Sequence, residues 1–486
     1  MLFTSLEFFA FLPLVLLLLL AMPVTQRWAV LLLASYLFYG IWQPFNLVYL
    51  GAVTLVVYGW GWALERAARP AVRKALLASG LVVLLGSLAA FKFYDFIAGE
   101  LERSFASTFP LVLPRLAVST PVGYSFYAFS AASYLIDIYV RRLSGSHYPG
   151  HVALYVAYFP KIFAGPIERA TAFLPQILAG LRADPSLAIL GLQLIGWGLF
   201  KKVVIADNLA PVVDHGFSIV AFAPPIELLI STYFFAFQIY CDFSGYTDIA
   251  LGISSLFGLN LMENFRRPYL ARSTAEFWGE RWHISLNRWF RDYLYIPLGG
   301  SRAGPVRQYI NVMAVFMVSG LWHAGLGYGV GWSFLVWGAL NGAYQWAGLA
   351  TRGLWQRAEE ALPKVRASVW LLVLRIVITF HLILISWVFF RATSIHDALL
   401  VLQKIGAHLD QLPYLLTIYP FTAEQFTGFG LIVFLIGYEI LDERRPVFQR
   451  LADAPVVFRW SAYYVGIFAL LLLGRWQAKE FIYMQF

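Results

Sequence analysis

Charge is what this chain has least of: Asp, Glu, Lys and Arg make up 13% of its 486 residues, where soluble domains carry about 25%. An ordinary soluble fold is excluded on that ground. Cysteine occurs once, as Cys241 between Tyr240 and Asp242, so neither an intrachain disulfide nor a Cys-rich metal site can form, and packing is its simplest role. Neither His283 nor His323 belongs to an HExxH motif, and the GxSxG elbow and the GxxxxGK[ST] phosphate loop are both missing, which removes the zinc hydrolases, the serine hydrolases of that type and the P-loop enzymes. No metal site is expected. Repeats, low-complexity tracts and Ser/Gly linkers are missing too, so one continuous membrane domain over 1–486 is the economical reading.

What is present is apolar. Hydrophobic residues make up 60% of the chain and aromatic residues 17%, with a mean hydropathy of +0.68. Apolar runs at 6–22, 28–42, 47–64, 75–91, 122–140, 187–199, 228–256, 312–322, 332–347, 369–390, 429–441 and 461–473 predict an all-α polytopic membrane protein of roughly 11 to 13 spanning or re-entrant helices. The first run has no basic flank and no small-residue cleavage site, and reads as a retained span. A net charge of +9 would suggest nucleic acid in a soluble protein. Here basic loops on the cytoplasmic side and anionic lipid headgroups account for it, with no nucleic-acid partner. Arg27, then Arg66, Arg69, Arg73 and Lys74, then Arg141 and Arg142 follow odd-numbered spans, which puts those loops in the cytoplasm and the N-terminus outside.

Polar chemistry concentrates at 276–302, EFWGERWHISLNRWFRDYLYIPLGGSR, and at 319–325, SGLWHAG. Trp278, Trp282, Leu286, Trp289 and Tyr293 recur at helical spacing and predict one apolar helix face, ended by Pro297 and Gly299-Gly300. Arg281, Arg288 and Arg291 fall off that face, while His283 and Asn287 lie one turn apart. His323 follows the apolar run 312–322. A lone imidazole is often a satisfied core residue, but ionisable groups inside a membrane are costly and point to function. A neutral His can take the proton of a hydroxyl as that hydroxyl attacks a thioester, so acyl transfer fits; proton-coupled transport through buried His and Asp is the rival. A second polar tract, 233–270, sets Gln238, Asp242, Ser244, Tyr246, Asp248 and Asn264 in an apolar background. Gly245 is a candidate break there, and the Asp residues are candidates to cap half-helices or to pair with Arg. Asp137, Lys92, Lys161 and Arg375 are single ionisable residues near span ends, where they can snorkel.

At these residues the chain resembles the membrane-bound O-acyltransferase family, in its bacterial alginate O-acetyltransferase branch. The matching motifs are YSFYAFSAASYLIDIY at Tyr124, YFPKIFAGPIER at Tyr158, FQIYCDFSGYTDIALG at Phe237, ENFRRPY at Glu263, FWGERWHISLNRWFRDYLYIPLGG at Phe277, SGLWHAG at Ser319 and SWVFFRA at Ser386, in family order across about 121–392. The resemblance implies helices around a central tunnel, and transfer of an acyl group, usually acetyl, from a cytoplasmic thioester (acetyl-CoA or an acyl carrier protein) toward an extracytoplasmic polysaccharide. No bound cofactor is implied. His323 matches the catalytic His and His283 the second polar residue, orienting the base or stabilising the oxyanion. Trp322, Asn287, Arg288, Arg291, Asp292, Asp242, Ser244, Tyr246 and Asn264 are the candidate substrate or tunnel residues. The expected setting is the bacterial inner membrane, with membrane lipids, the polysaccharide acceptor and a periplasmic acetyltransferase as partners. Peptidoglycan, cellulose and teichoic acid are the alternative acceptors. The chain departs from the branch at Leu326 to Gly331, a Gly-rich insertion, and at Asn341, where the branch often has His.

Overall fold

A computed structural model describes residues 1–484 except 43, 106–108, 110, 116–119, 146, 325–330, 362–367 and 477–479. The insertion after His323 falls almost entirely outside the described residues. Among those described there are helices and loops and no strand. Seven helices are long and apolar enough to cross a bilayer, with Leu6–Ala21 and Ala170–Ala179 as shorter apolar helices. The protein is a multi-pass membrane protein. Val456–Leu473 buries none of its residues, and exposed Leu, Val and Phe of that kind are surface that lipid covers.

Contacts group the chain into two compact units. The first comprises Met1–Leu199, Tyr246–Met262 and Trp476–Phe486. Its helices are tied by buried polar groups to specific carbonyls: the Arg73 guanidinium donates to the carbonyl oxygens of Leu64 (2.6 Å), Ile138 (3.1 Å) and Tyr139 (2.9 Å). Lys161 does not snorkel to a surface. It is 4% exposed, with Nζ 4.3 Å from the Tyr155 ring centre, as expected of a short segment, Phe159–Ile162, turned in among its neighbours.

The second unit, Phe200–Gly245 and Glu263–Arg475, holds both candidate histidines. Its 200–245 stretch begins with a π-helical turn, Phe200–Ala206. That turn presents two buried lysines side by side: Lys202 Nζ lies 2.7 Å from Asp242 Oδ1 and 3.0 Å from Asp207 Oδ1, and Lys201 Nζ lies 5.7 Å from the Tyr240 ring centre. Asp242 therefore pairs with a lysine rather than an arginine. Gly245 breaks nothing, because Pro225–Leu256 is one continuous helix.

Pro305–His323 and Trp332–Ala361 cross at glycines. A Cβ on Gly320 would lie 2.5 Å from the Phe334 carbonyl oxygen, and one on Gly338 would lie 2.5 Å from that of Phe316. Small residues at a crossing let two helix backbones approach closely and gain packing contact. Gly338→Val should lower the thermal midpoint of the purified chain, by overpacking worth about 1–3 kcal/mol. Gly348, on the same helix with nothing within 4 Å of its Cβ position, should accept Ala unchanged; equal midpoints for the two variants would refute the tight crossing.

Candidate active site

The predicted helix through Trp278 and Tyr293 is broken where His283 sits. Helical turns at Thr274–Glu276 and Phe277–Arg281 end at Trp282, whose backbone is extended. His283 then takes φ 43° and ψ 52°, in the left-handed region, and Ile284–Phe290 starts a new helix. A non-glycine residue there is uncommon and strained, and such residues gather at functional sites. The single aromatic face is consequently divided: Trp278 and Trp282 turn toward Trp387, at 6.1 and 4.9 Å, whereas Trp289 packs on Phe290 and Tyr293.

The break is held by a neck of backbone hydrogen bonds. The Arg266 N–H donates to the Arg281 carbonyl at 2.9 Å, and the Ile284 N–H to the Asn264 carbonyl at 3.0 Å. Asn264 Oδ1 also accepts from the Ser285 N–H at 3.1 Å, so one residue caps the new helix twice. Asn287 reaches back to the Trp282 and His283 carbonyls at 2.7 and 3.1 Å. Side chains clamp the neck as well. Arg281 bonds Glu276 at 2.7 Å and Glu443 at 2.8 Å, and Arg267, also left-handed, pairs with Asp442 and Glu443. Burial alone would push the Glu276 carboxyl up; hydrogen bonds from Arg272 and Arg281 outweigh it and hold it below its ordinary value.

His323 is the last residue of Pro305–His323 and is 3% exposed. Its Nδ1 is 2.7 Å from the Ser319 carbonyl oxygen. A carbonyl only accepts, so Nδ1 carries a proton, and in the uncharged tautomer the lone pair falls on Nε2. Around it stand Trp322, Trp337 and Phe390 at 4.6, 5.0 and 5.4 Å between ring centres. Trp337 is in turn parallel to Trp387. His283 touches Phe243 at 4.7 Å and Trp322 at 6.1 Å, so Trp322 contacts both imidazoles. His283 is 1% exposed; burial first, and the nearby His323 second, push it well below its ordinary value, and at neutral pH it is uncharged.

Of the other candidates, Asp242 joins this neighbourhood through the chain, since the next residue, Phe243, packs on His283. Ser244 and Asn264 are fully buried, and Ser244 Oγ and Asn264 Nδ2 have no hydrogen-bond partner among the described residues. Arg288 and Arg291 are exposed, the latter paired with Asp292 at 2.9 Å. Tyr246 belongs to the first unit, where its ring meets Phe3 and Phe481. Asn341, the departure from the branch, accepts from the Trp278 indole at 3.0 Å and donates to the Trp337 carbonyl at 2.9 Å, so it fixes two of the enclosing tryptophans. Sequence reasoning did not select Trp337, Trp387, Phe390 or Lys202. The SWVFFRA motif signalled Trp387 and Phe390, while nothing local marks Lys202.

The lowered His283 pKa makes a signed prediction. An unfolded His titrates near 6.5, so below about pH 6.5 the unfolded chain takes up a proton that the folded chain refuses, and stability falls by up to about 1.4 kcal/mol per pH unit. In His283→Asn, a residue that tolerates positive φ, the thermal midpoint between pH 7.5 and 5 should fall less steeply than in the parent. Identical slopes would contradict a neutral buried imidazole.

Comparison with known proteins gives the family of the chain. The profile of MBOAT, the membrane-bound O-acyltransferase family, matches residues 81–401. The chain is 34% identical over 447 residues to the probable alginate O-acetylase AlgI of Azotobacter vinelandii, covering 91% of this chain and 84% of that protein. It is 36% identical over 404 residues to the protein of the same name in Pseudomonas aeruginosa, covering 82% and 73%. To the peptidoglycan O-acetyltransferase of Helicobacter pylori it is 34% identical over 400 residues, covering 77% and 72%. The matched region contains both histidines and the rings that enclose them, and the chain belongs to the membrane-bound O-acyltransferase family.

Proposed function

We propose that this protein is an inner-membrane O-acetyltransferase that moves an acetyl group from a cytoplasmic thioester, acetyl-CoA or an acyl carrier protein, toward hydroxyls of an extracytoplasmic polysaccharide, alginate or a similar exopolysaccharide. The supporting observation is the setting of His323, a buried imidazole whose Nδ1 is committed to the Ser319 carbonyl, which leaves Nε2 as a base. Nε2 takes the proton of an acceptor O–H while the oxygen attacks the thioester carbonyl carbon. The tetrahedral oxyanion collapses, the C–S bond breaks, and the imidazolium returns its proton to the leaving thiolate. General-base assistance of this kind is worth about 10² to 10⁴ in rate.

His283, uncharged, serves by orientation or by a hydrogen bond to the oxyanion. The acceptor is either the glycan itself or a hydroxyl on a periplasmic acetyltransferase that relays the group. Peptidoglycan is the second acceptor reading, favoured by the Helicobacter pylori relative named for it.

Membranes carrying the parent chain, His323→Ala or His283→Ala at equal protein levels should be supplied with labelled acetyl donor, and label in envelope polysaccharide counted. Loss of at least about 10²-fold in His323→Ala is expected, with a smaller loss in His283→Ala. Undiminished label in both would overturn acyl transfer through these imidazoles and favour transport of donor or protons.

A further inference from the structure

A groove of about 720 Å³ lies in the second unit between the Val369–Arg391 and Ala423–Arg444 helices, floored by Tyr233 and Phe237 of Pro225–Leu256. Both flanking helices are membrane-spanning by length and composition. The groove's walls are mostly apolar, with Val373, Ile376, Phe380, Ile432 and Ile436 among them, and its charge is gathered toward one end, where Arg272, Arg281, Glu443 and Arg444 form the rim and the buried Glu439 carboxyl, bonded by the Tyr240 hydroxyl, lies one turn inside it. The other end is closed by the Tyr233 hydroxyl and His381 Nε2, 2.7 Å apart.

The polarity of the groove matches one leaflet. His381 and Phe429 lie at one level, beside Tyr233 and the neighbouring Phe234, and from there the groove is lined by residues 372–381 of one flanking helix and 432–444 of the other, so the two helices run antiparallel and Trp370 lies at the Arg444 end. Trp370 is 83% exposed, as expected of an aromatic anchor at headgroup level. From Ile432 to Arg444 the helix rises about 18 Å, slightly more than the roughly 15 Å hydrocarbon depth of a single leaflet.

The rim charges are mostly spoken for. Arg272 and Arg281 share Glu276, while Glu443 is taken by Arg267 and Arg281. Arg444 is exposed and has no carboxylate partner among the described residues. A guanidinium held at headgroup level above an apolar slot is suited to a phosphate oxygen.

We propose that this groove binds a phospholipid with an anionic headgroup, one acyl chain lying between the two helices and the phosphate at Arg444 beside Arg272. The site is separate from His323. The occupant would rest on Arg281, two residues before His283, and would thereby touch the neck that holds the break.

The test uses the full chain in phosphatidylcholine nanodiscs doped with a photoactivatable phosphatidylglycerol or the matching phosphatidylcholine probe, with adducts mapped by peptide mass spectrometry. Adducts on the 369–391 and 423–444 peptides should favour phosphatidylglycerol by about 5-fold, the ratio given by about 1 kcal/mol per basic residue at the surface. Arg444→Glu, at an exposed position, should erase that preference, and Ile436→Trp should suppress both probes. Equal labelling by the two probes, or an unchanged preference in Arg444→Glu, would reduce the groove to ordinary annular contact. Displacement of the probe by excess glycerol phosphate would overturn the lipid assignment in favour of a free phosphate.

Discussion

Away from water every backbone N–H and C=O needs a partner, and that constraint governs the architecture around the two buried histidines. A continuous helix satisfies it without help. The chain gives up this solution at Trp282 and His283, and the freed groups must be met individually: Asn264 supplies a carbonyl and a side-chain oxygen, Asn287 a side-chain amide, and Arg266 and Arg281 a backbone pair. The gain from the break is position. A side chain at a left-handed residue projects where no residue of a regular helix could place it, and here it projects toward Phe243 and Trp322.

The surroundings of His323 show the complementary use of aromatic mass. Tryptophan and phenylalanine rings are rigid and displace water, so the proton transfer proposed for His323 would take place in a low dielectric, where hydrogen bonds and charges act more strongly than in water. Such an enclosure functions only if the rings stay in place. The glycine crossing of Pro305–His323 on Trp332–Ala361 fixes Trp337 relative to His323, and Asn341 ties Trp278 to the same turn.

Much of this was legible in the sequence, and the illegible part has physical reasons. Composition and apolar runs are properties of every residue, so the all-helical membrane class could be read directly. His323 stood out because an ionisable residue is conspicuous at the end of an apolar run. The break at His283 was invisible to periodicity, since Trp278, Trp282 and Trp289 keep helical spacing across it, and the signal lay some twenty residues upstream in Asn264. Gly245 misled in the opposite direction: glycine is tolerated in membrane helices that pack closely, and the helix continues through it. The partner of Asp242 was out of reach because it depends on a π turn, where one extra residue per turn puts both Lys201 and Lys202 inside.

The neck formed by residues 264–266 and 281–284 also makes the intervening segment a cassette. Its two ends meet through their own backbone hydrogen bonds, so the position of His283 is set at the closure point, together with the ion pairs of Arg267 and Arg281 that clamp it. Doubling the length of a closed loop costs only about 0.6 kcal/mol of closure entropy. Within this fold, a change of length in that segment is tolerated only where it leaves Arg267 and Glu276 on their ion pairs and Trp278 on Asn341.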